Sequence, residues 1–403
     1  MPLVRQHHPK NPRTHRLDET GRPDGSNHQY FYWNALFEFH PHFYYPRTPM
    51  SIDSRQKIII ALVIVGGILR FWNIGFQHMN WDEEFTIAFA GPAVSVWDLI
   101  LKALSQDFTP PFYYLTAHFS MVFFGETATA IRIPSAIAGV LLIPVMYFIG
   151  REYRDDLFGI LLAGFSTIFY NFIFYSRYGR SYSIALLFFS LAFLYFMKTV
   201  KGNRDASIPF GIFALLALWT HLYTAIPLGI MILYLFYKQL AFPGVAFTVI
   251  GALPLLNYIN VINETRIQGV GSNTFGESPL AVILYTPLDL FTYSTFIIFP
   301  IIIWVLWKYR VDPILKLISI ISLGTWFSML ALSIKTPIIL HYGIFLVTML
   351  LIALTVPFYW QISKGRGQSY PPKTILLILI VWIVLVLEAV QIFALFTIQR
   401  GAW

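Results

Sequence analysis

The stretch PPFYYLTAHFSMVFFG, residues 110–125, decides how the whole chain threads. It is greasy enough to be taken for a membrane crossing, and if it crossed, every later loop would change sides. Those loops include REYR (151–154), KTVKGNR (198–204), Lys238, KYRVDPILK (308–316) and KGRGQSYPPK (364–373). Loops rich in Lys and Arg stay on the cytoplasmic side, so a crossing at 110–125 would strand all of them outside. Length argues the same way. The Pro pair suits a helix start and Gly125 a helix end. Between them there is room for about 15 helical residues, or about 22 Å against a hydrocarbon core of about 30 Å. The segment is expected to lie along the outer interface.

With that segment set aside, eleven spans are expected. They lie near 58–75, 132–149, 157–175, 181–198, 207–220, 223–238, 242–262, 287–307, 313–334, 338–359 and 374–398. Arg55 and Lys57 hold the N-terminus inside, and the C-terminus then falls outside. Composition agrees. Of 403 residues, 57% are hydrophobic and 12% charged, whereas soluble domains carry about 25% charged residues. The mean hydropathy is +0.62. The chain reads as an all-α polytopic membrane protein. Its net charge of +8 is spread over short loops, so it sets topology and does not argue for nucleic acid. Cysteine is absent, which excludes disulfides, thiolate catalysis and Cys-ligated metal.

Residues 1–54 differ in kind and are read as a disordered cytoplasmic leader, or as translation upstream of a true start at Met50; the membrane domain is 55–403. The leader's histidines (His7, His8, His15, His28, His40 and His42) are too irregularly spaced for a built metal site. The sequon Asn263-Glu264-Thr265 falls in an expected outer loop and occurs readily by chance.

Residues 76–131 form the first external loop. In SVWDLILKALSQ (95–106), Trp97, Ile100, Leu101 and Leu104 make one apolar stripe, with Asp98 and Lys102 paired at i,i+4 opposite it. The loop opens on NWDEEFTIAFA (80–90), where Asp82, Glu83 and Glu84 follow the first span directly. One acid at the bilayer centre costs roughly 2.5–3.5 kcal/mol, so the triplet belongs at the surface. Capping a helix needs one carboxylate, not three; Glu84 suits the wet face of the helix.

Other polar groups fall at the same outer ends: Asp107; Arg177, Tyr178 and Arg180; His221 and Tyr223; Lys335, His341 and Tyr342. Arg70 and Arg132 read as snorkelling span-end residues, with a brace for the loop as the alternative at Arg132. Acids beside cations suit a reaction that takes a proton from a hydroxyl and releases an anion such as phosphate. A divalent ion, Mg²⁺ or Mn²⁺, bridging Asp82, Asp107 and a histidine is the cofactor these residues admit. The rival reading is a transporter or flippase, with charges lining a path near mid-membrane.

The order W-DE (81–83), D-x-x-PP-F-YY (107–114), FG-x-x-x-x-A-x-R-x-PS (124–135) and YSRYGRSYS (175–183) resembles the GT-C membrane glycosyltransferases. The likeness is strongest to the protein O-mannosyltransferase and aminoarabinose-transferase branch. It covers residues 55–240 and continues weakly through KTPIILHYGIFLVTMLLIAL (335–354). It implies a hexosyl- or pentosyltransferase of a prokaryotic plasma membrane. Such an enzyme moves sugar from a polyprenyl-phosphate donor to a protein, lipid or cell-envelope glycan outside the cytoplasm, with inversion. By this resemblance Asp82 is the catalytic base, with Glu83 beside it and Asp107 on the acidic position before the Pro-Pro helix. The donor-phosphate set is Arg177, Tyr178, Arg180, His221, Lys335, His341 and Tyr342. His221 stands where aminoarabinose transferases use lysine, and His341-Tyr342 where relatives have Arg-Tyr or Thr-Tyr.

Overall fold

The structure is a computed structural model that describes residues 51–240, 242–261, 286, 290–291, 294–333, 343–364 and 372–397. Every element among them is helical. In chain order they are α1 (Ile52–Phe71), α2 (Trp81–Ala90), α3 (Val96–Gln106), α4 (Pro111–Phe124), α5 (Ala128–Tyr153), α6 (Asp156–Ile168) and α7 (Tyr170–Ser176). Then come α8 (Tyr182–Val200), α9 (Ser207–Thr220), α10 (Ala225–Tyr237), α11 (Phe242–Ala252), α12 (Thr295–Lys308), α13 (Pro313–Ser333), α14 (Phe345–Lys364) and α15 (Pro372–Thr397). The histidine-rich leader, the sequon, Lys335, His341 and Tyr342 lie outside the described residues.

Five described helices are long and apolar enough to cross a membrane, namely α5, α8, α13, Pro243–Val261 and Phe345–Ser363, and α6 with α7 makes a sixth. Shorter apolar helices run over Leu222–Tyr237, Thr295–Lys308 and Val386–Thr397. This is a multi-pass integral membrane protein. Helix α5 is central, packing against α1, α4, α6 and α8.

Helix α4 begins and ends where its sequence says it should. Pro111 opens it behind Pro110 at φ −62°, and Gly125 closes it at φ +81°, a conformation only glycine adopts without strain. Its 14 residues make it about 21 Å long. Tyr113, Tyr114, Ala117 and Met121 are buried, while Val122, Phe123 and Phe124 stay exposed. Helix α3 buries Leu99 and Ala103 and leaves Trp97 and Leu101 of its apolar stripe on the outer face. Docking on α4 and on the turn Leu253–Asn257 selects the narrow, small-residue face, which lets the two backbones approach. Asp98 bonds Ser95 Oγ at 2.6 Å, in the first turn, instead of serving the expected pair with Lys102.

The expected third span, 157–175, is not one helix. It breaks at Phe169, where α6 and α7 meet at 58°. A break inside lipid frees backbone polar groups that no water can satisfy, and two charged side chains take them up. Arg70 donates to the carbonyls of Ser166 at 3.1 Å and Thr167 at 3.2 Å. Glu388 of α15 accepts from the Tyr170 amide at 2.6 Å and from Ser294 Oγ at 2.8 Å. Arg70 is therefore buried rather than snorkelling. Room for it comes from glycine: a Cβ on Gly139 would lie 2.9 Å from Arg70 Nε and 1.9 Å from Ser176 Oγ.

The opposite ends of these helices are tied separately. Arg55 meets Asp156 at 2.9 Å, Tyr359 donates to Asp155 at 2.6 Å, and Arg154 lies over the rings of Tyr359 and Trp360.

Candidate active site

The acidic triplet sits in the first turn of α2, and helix geometry separates its members. Successive residues point about 100° apart, so one acid can face the core while the next faces out. Asn80 caps the helix: its Oδ1 accepts from the Glu83 amide at 3.0 Å, and the Glu83 carboxylate reaches back to the Asn80 amide.

Glu83 is the inward acid. Arg132 of α5 grips it in a two-pronged pair, Nε to Oε1 at 2.7 Å and Nη2 to Oε2 at 2.6 Å, with side chains 2% and 1% exposed. The Gly179 amide donates to the same Oε1 at 2.7 Å. Arg132 spends its remaining donors on the carbonyls of Ile74, Gln77 and His78. It thus locks the loop after α1, the start of α2 and the turn after α7 to one another. This corrects two expectations. Arg132 braces the loop and does not snorkel, and Glu83, with both oxygens committed, has no free lone pair aimed at solvent for proton transfer.

Asp82 is the outward acid. Its side chain is 38% exposed. Tyr178 donates to its Oδ2 at 3.0 Å, and Asn80 Nδ2 donates to Tyr178 Oη at 2.6 Å, so the phenol is held between them. Burial raises the Tyr178 pKa above the usual phenol value and the Asp82 charge adds to it, which keeps the hydroxyl a donor. Arg180 Nη2 lies 3.9 Å from Asp82 Oδ1, on a side chain 13% exposed. Its other contacts are long: Thr86 Oγ1 at 3.5 Å and Thr109 Oγ1 at 3.4 Å, while Nε has no hydrogen-bond partner. A largely buried guanidinium, 13% exposed and with such loose bonds, has capacity left for an anion.

Asp107 ends α3 and holds the turn into α4. Its Oδ2 accepts from the Thr109 amide at 3.1 Å and from the Tyr114 hydroxyl. Tyr113 donates to the Gly179 carbonyl, so α4 clamps the YSRYGR turn from its other side. Burial pushes both phenols above their ordinary pKa, and Asp107 adds to the shift at Tyr114.

Arg177 is placed away from the Asp82–Arg180 pair. It donates to the carbonyls of Arg70, Trp72 and Asn73 at 3.2, 2.7 and 3.0 Å and lies over Phe396. Burial lowers its pKa to about 10, with Arg132 contributing. It serves the backbone after α1, contrary to the expected phosphate role. His221 ends α9; its Nδ1 accepts from the Tyr223 amide at 3.3 Å, and its ring meets those of Tyr182 and Phe345. Tyr182 in turn stacks on Tyr178, with centroids 6.2 Å apart and planes 8° apart. His221 is thus two ring contacts from the phenol on Asp82.

Among the described residues no three His, Asp or Glu side chains converge as ligands for a metal ion. Asp82 and Asp107 face tyrosine hydroxyls, and the positive charge beside Asp82 is Arg180. The described residues do not gather Asp82, Asp107 and a histidine into one ligand set. Sequence reasoning also passed over Asn80, Thr86, Thr109 and Tyr113, ordinary polar residues whose spacing carries no signal. Glu388 goes unremarked as well, although one acid in a 26-residue apolar helix is a signal in itself.

With this arrangement in view, similarity to known proteins is informative. Residues 108–257 match the family model described as dolichyl-phosphate-mannose-protein mannosyltransferase. That stretch holds the Pro-Pro helix, Arg132 and the YSRYGR turn. Among solved structures, the chain superposes on ArnT from Cupriavidus metallidurans in the apo state with a TM-score of 0.55 at 14% identity. The chain has the GT-C fold. This match covers 76% of the chain and 62% of ArnT; ArnT bound to undecaprenyl phosphate gives 0.54 at 15%, covering 76% and 60%. The Archaeoglobus fulgidus oligosaccharyltransferase tethered to an acceptor peptide gives 0.53 at 12%, covering 85% of this chain and 55% of that one. The chain therefore spans a little over half the length of these proteins. No match is found among curated protein sequences.

Proposed function

We propose that the protein transfers a sugar from a polyprenyl-phosphate donor to a hydroxyl acceptor on the external face of the membrane, with Asp82 as general base. The observation that carries this reading is the contrast between two adjacent acids. Glu83 is saturated by Arg132, while Asp82 is half-exposed, oriented by Tyr178 and set 3.9 Å from Arg180. The mannosyltransferase family match over 108–257 and the likeness to an undecaprenyl-phosphate-bound fold support it.

In the step, the acceptor hydroxyl gives its proton to Asp82 and its oxygen bonds to the anomeric carbon. The carbon–oxygen bond to the phosphate breaks, and the polyprenyl phosphate leaves with the electron pair. Attack opposite the leaving group inverts the anomeric centre. Arg180 takes up the charge that develops on the phosphate. His221, Lys335, His341 and Tyr342 complete the donor set, while Glu83, Asp107 and Arg177 hold the frame. Grooves between the aromatic-rich helices hold the lipid tail. The acceptor is a protein, lipid or cell-envelope glycan. The broken span α6–α7 is the feature a transporter would use, yet its polar ends are closed by Arg70 and Glu388.

Purified protein supplied with a polyprenyl-phosphate sugar and a hydroxyl acceptor tests this. Asp82→Asn keeps size and hydrogen bonding but loses basicity. General-base catalysis contributes about 10²–10⁴-fold, so turnover should drop by about 10² or more while undecaprenyl phosphate still binds. Near-normal turnover would dismiss Asp82 as the base and bring Asp107 forward.

A further inference from the structure

Glu388 is a buried acid outside the site. It lies on α15, beyond the family match at 108–257, and is 3% exposed within a helix of apolar residues. One carboxylate oxygen accepts from the Tyr170 amide, and the other from Ser294 Oγ. Tyr170 is the first residue of α7, the seven-residue helix that delivers the YSRYGR turn.

From Tyr170 a ladder of stacked rings runs to the site. Tyr170 and Phe174 stack at 5.8 Å, Phe174 and Tyr178 at 5.9 Å, and Tyr178 and Tyr182 at 6.2 Å, all with planes within 23°. The third ring is the phenol that bonds Asp82. The same helix α15 touches the site frame twice more. The carbonyl of Leu395 accepts from Gln77 Nε2 at 2.7 Å, and the Phe396 ring lies under Arg177. Leu395 also packs on Tyr170 and Ile173.

We propose that Glu388 is a positioning residue for sugar transfer: anchored on α15, it fixes the axial register of α7 and so sets Tyr178 and Arg180 against Asp82. The inference rests on the proposed function for its kinetic part and on geometry alone for the rest. Neither hydrogen bond requires a charge, because a side-chain amide can accept from Tyr170 and donate to Ser294. Length is what matters: one methylene fewer cannot reach both partners. Misplacing a reacting group by about 1 Å costs about 100-fold in rate.

The test compares Glu388→Gln, Glu388→Asp and Glu388→Leu in the full-length protein in lipid nanodiscs. Two readouts are taken: turnover at saturating donor, and hydrogen–deuterium exchange of the peptide covering 170–180. Turnover per folded enzyme should fall about 10- to 100-fold in Asp and Leu and stay within about threefold of the parent in Gln. Exchange in the two impaired variants should rise at Tyr170 and at Gly179, whose amide is held by Glu83, with α8 and α13 unchanged. Parental turnover and exchange in both Asp and Leu would overturn the proposal. So would a uniform rise over all helices with normal turnover per folded molecule, which marks a merely structural acid. Should Leu fail to fold, Asp against Gln decides alone. Should the parent transfer no sugar, the proposed function fails, and exchange with undecaprenyl phosphate titration still scores the anchor: unchanged exchange at 170–180 and unchanged lipid affinity in Asp refute it.

Discussion

Two ion pairs, one residue apart on α2, have opposite character. Glu83 and Arg132 form a closed node with side chains 1% and 2% exposed and every guanidinium nitrogen bonded. Asp82 and Arg180 form an open one, 3.9 Å apart, with the acid 38% exposed and Arg180 Nε unpaired. The closed node is all structure: it returns the desolvation cost of two charges only because each partner is fully bonded. The open node keeps its capacity for a ligand. The difference teaches that neighbouring acids in a motif need not share a task, since the helix aims them at different surroundings.

The largest effect should come from breaking the closed node. Arg132→Met leaves Glu83 as an uncompensated buried charge, which costs about 3–5 kcal/mol. Thermal unfolding in detergent should show a collapsed transition, and Glu83→Leu with Arg132→Met should recover part of the loss. Recovery would be incomplete because the Gly179 amide and three loop carbonyls stay without partners. An Arg132→Met protein of parental stability would erase the contrast between the nodes. Next is Asp82→Asn, expected to lower turnover by about 10² or more while the melting temperature is unchanged. A melting temperature that falls with turnover would assign Asp82 to structure as well.

Arg180→Gln sharpens the comparison from the cation side. A hydrogen bond to a charged group is worth about 1.5–3 kcal/mol, so kcat/KM for the donor should drop roughly 10- to 100-fold. Undecaprenyl phosphate titration should show the loss in affinity as well; equal affinity in parent and variant would remove Arg180 from the phosphate. Smallest is Tyr178→Phe, which removes one neutral donor worth about 0.5–1.5 kcal/mol. Turnover should fall by less than about tenfold with lipid affinity kept. A larger loss would mean that the phenol touches the reacting atoms.

Much of the fold is legible in the residues themselves. The ends of α4 at Pro111 and Gly125 follow from local backbone preference, and the apolar runs follow from the solvent they must meet. Part of the candidate set was legible as a neighbourhood: Asp82, Tyr178 and Arg180 come together, while Lys335, His341 and Tyr342 lie outside the described residues. Roles within it were not. Arg177 and Arg180 are three residues apart, yet one serves the backbone after α1 and the other faces Asp82.

What the sequence by itself determined is a membrane protein of many apolar helices, since hydropathy acts residue by residue. Tertiary structure alone decided which acid is spent, where the third span breaks and what mends it. Those outcomes depend on partners far apart in the chain: Glu83 with Arg132, Arg70 with Ser166, Glu388 with Tyr170. A buried charge survives only where packing brings its complement within hydrogen-bond reach, and no local pattern carries that information.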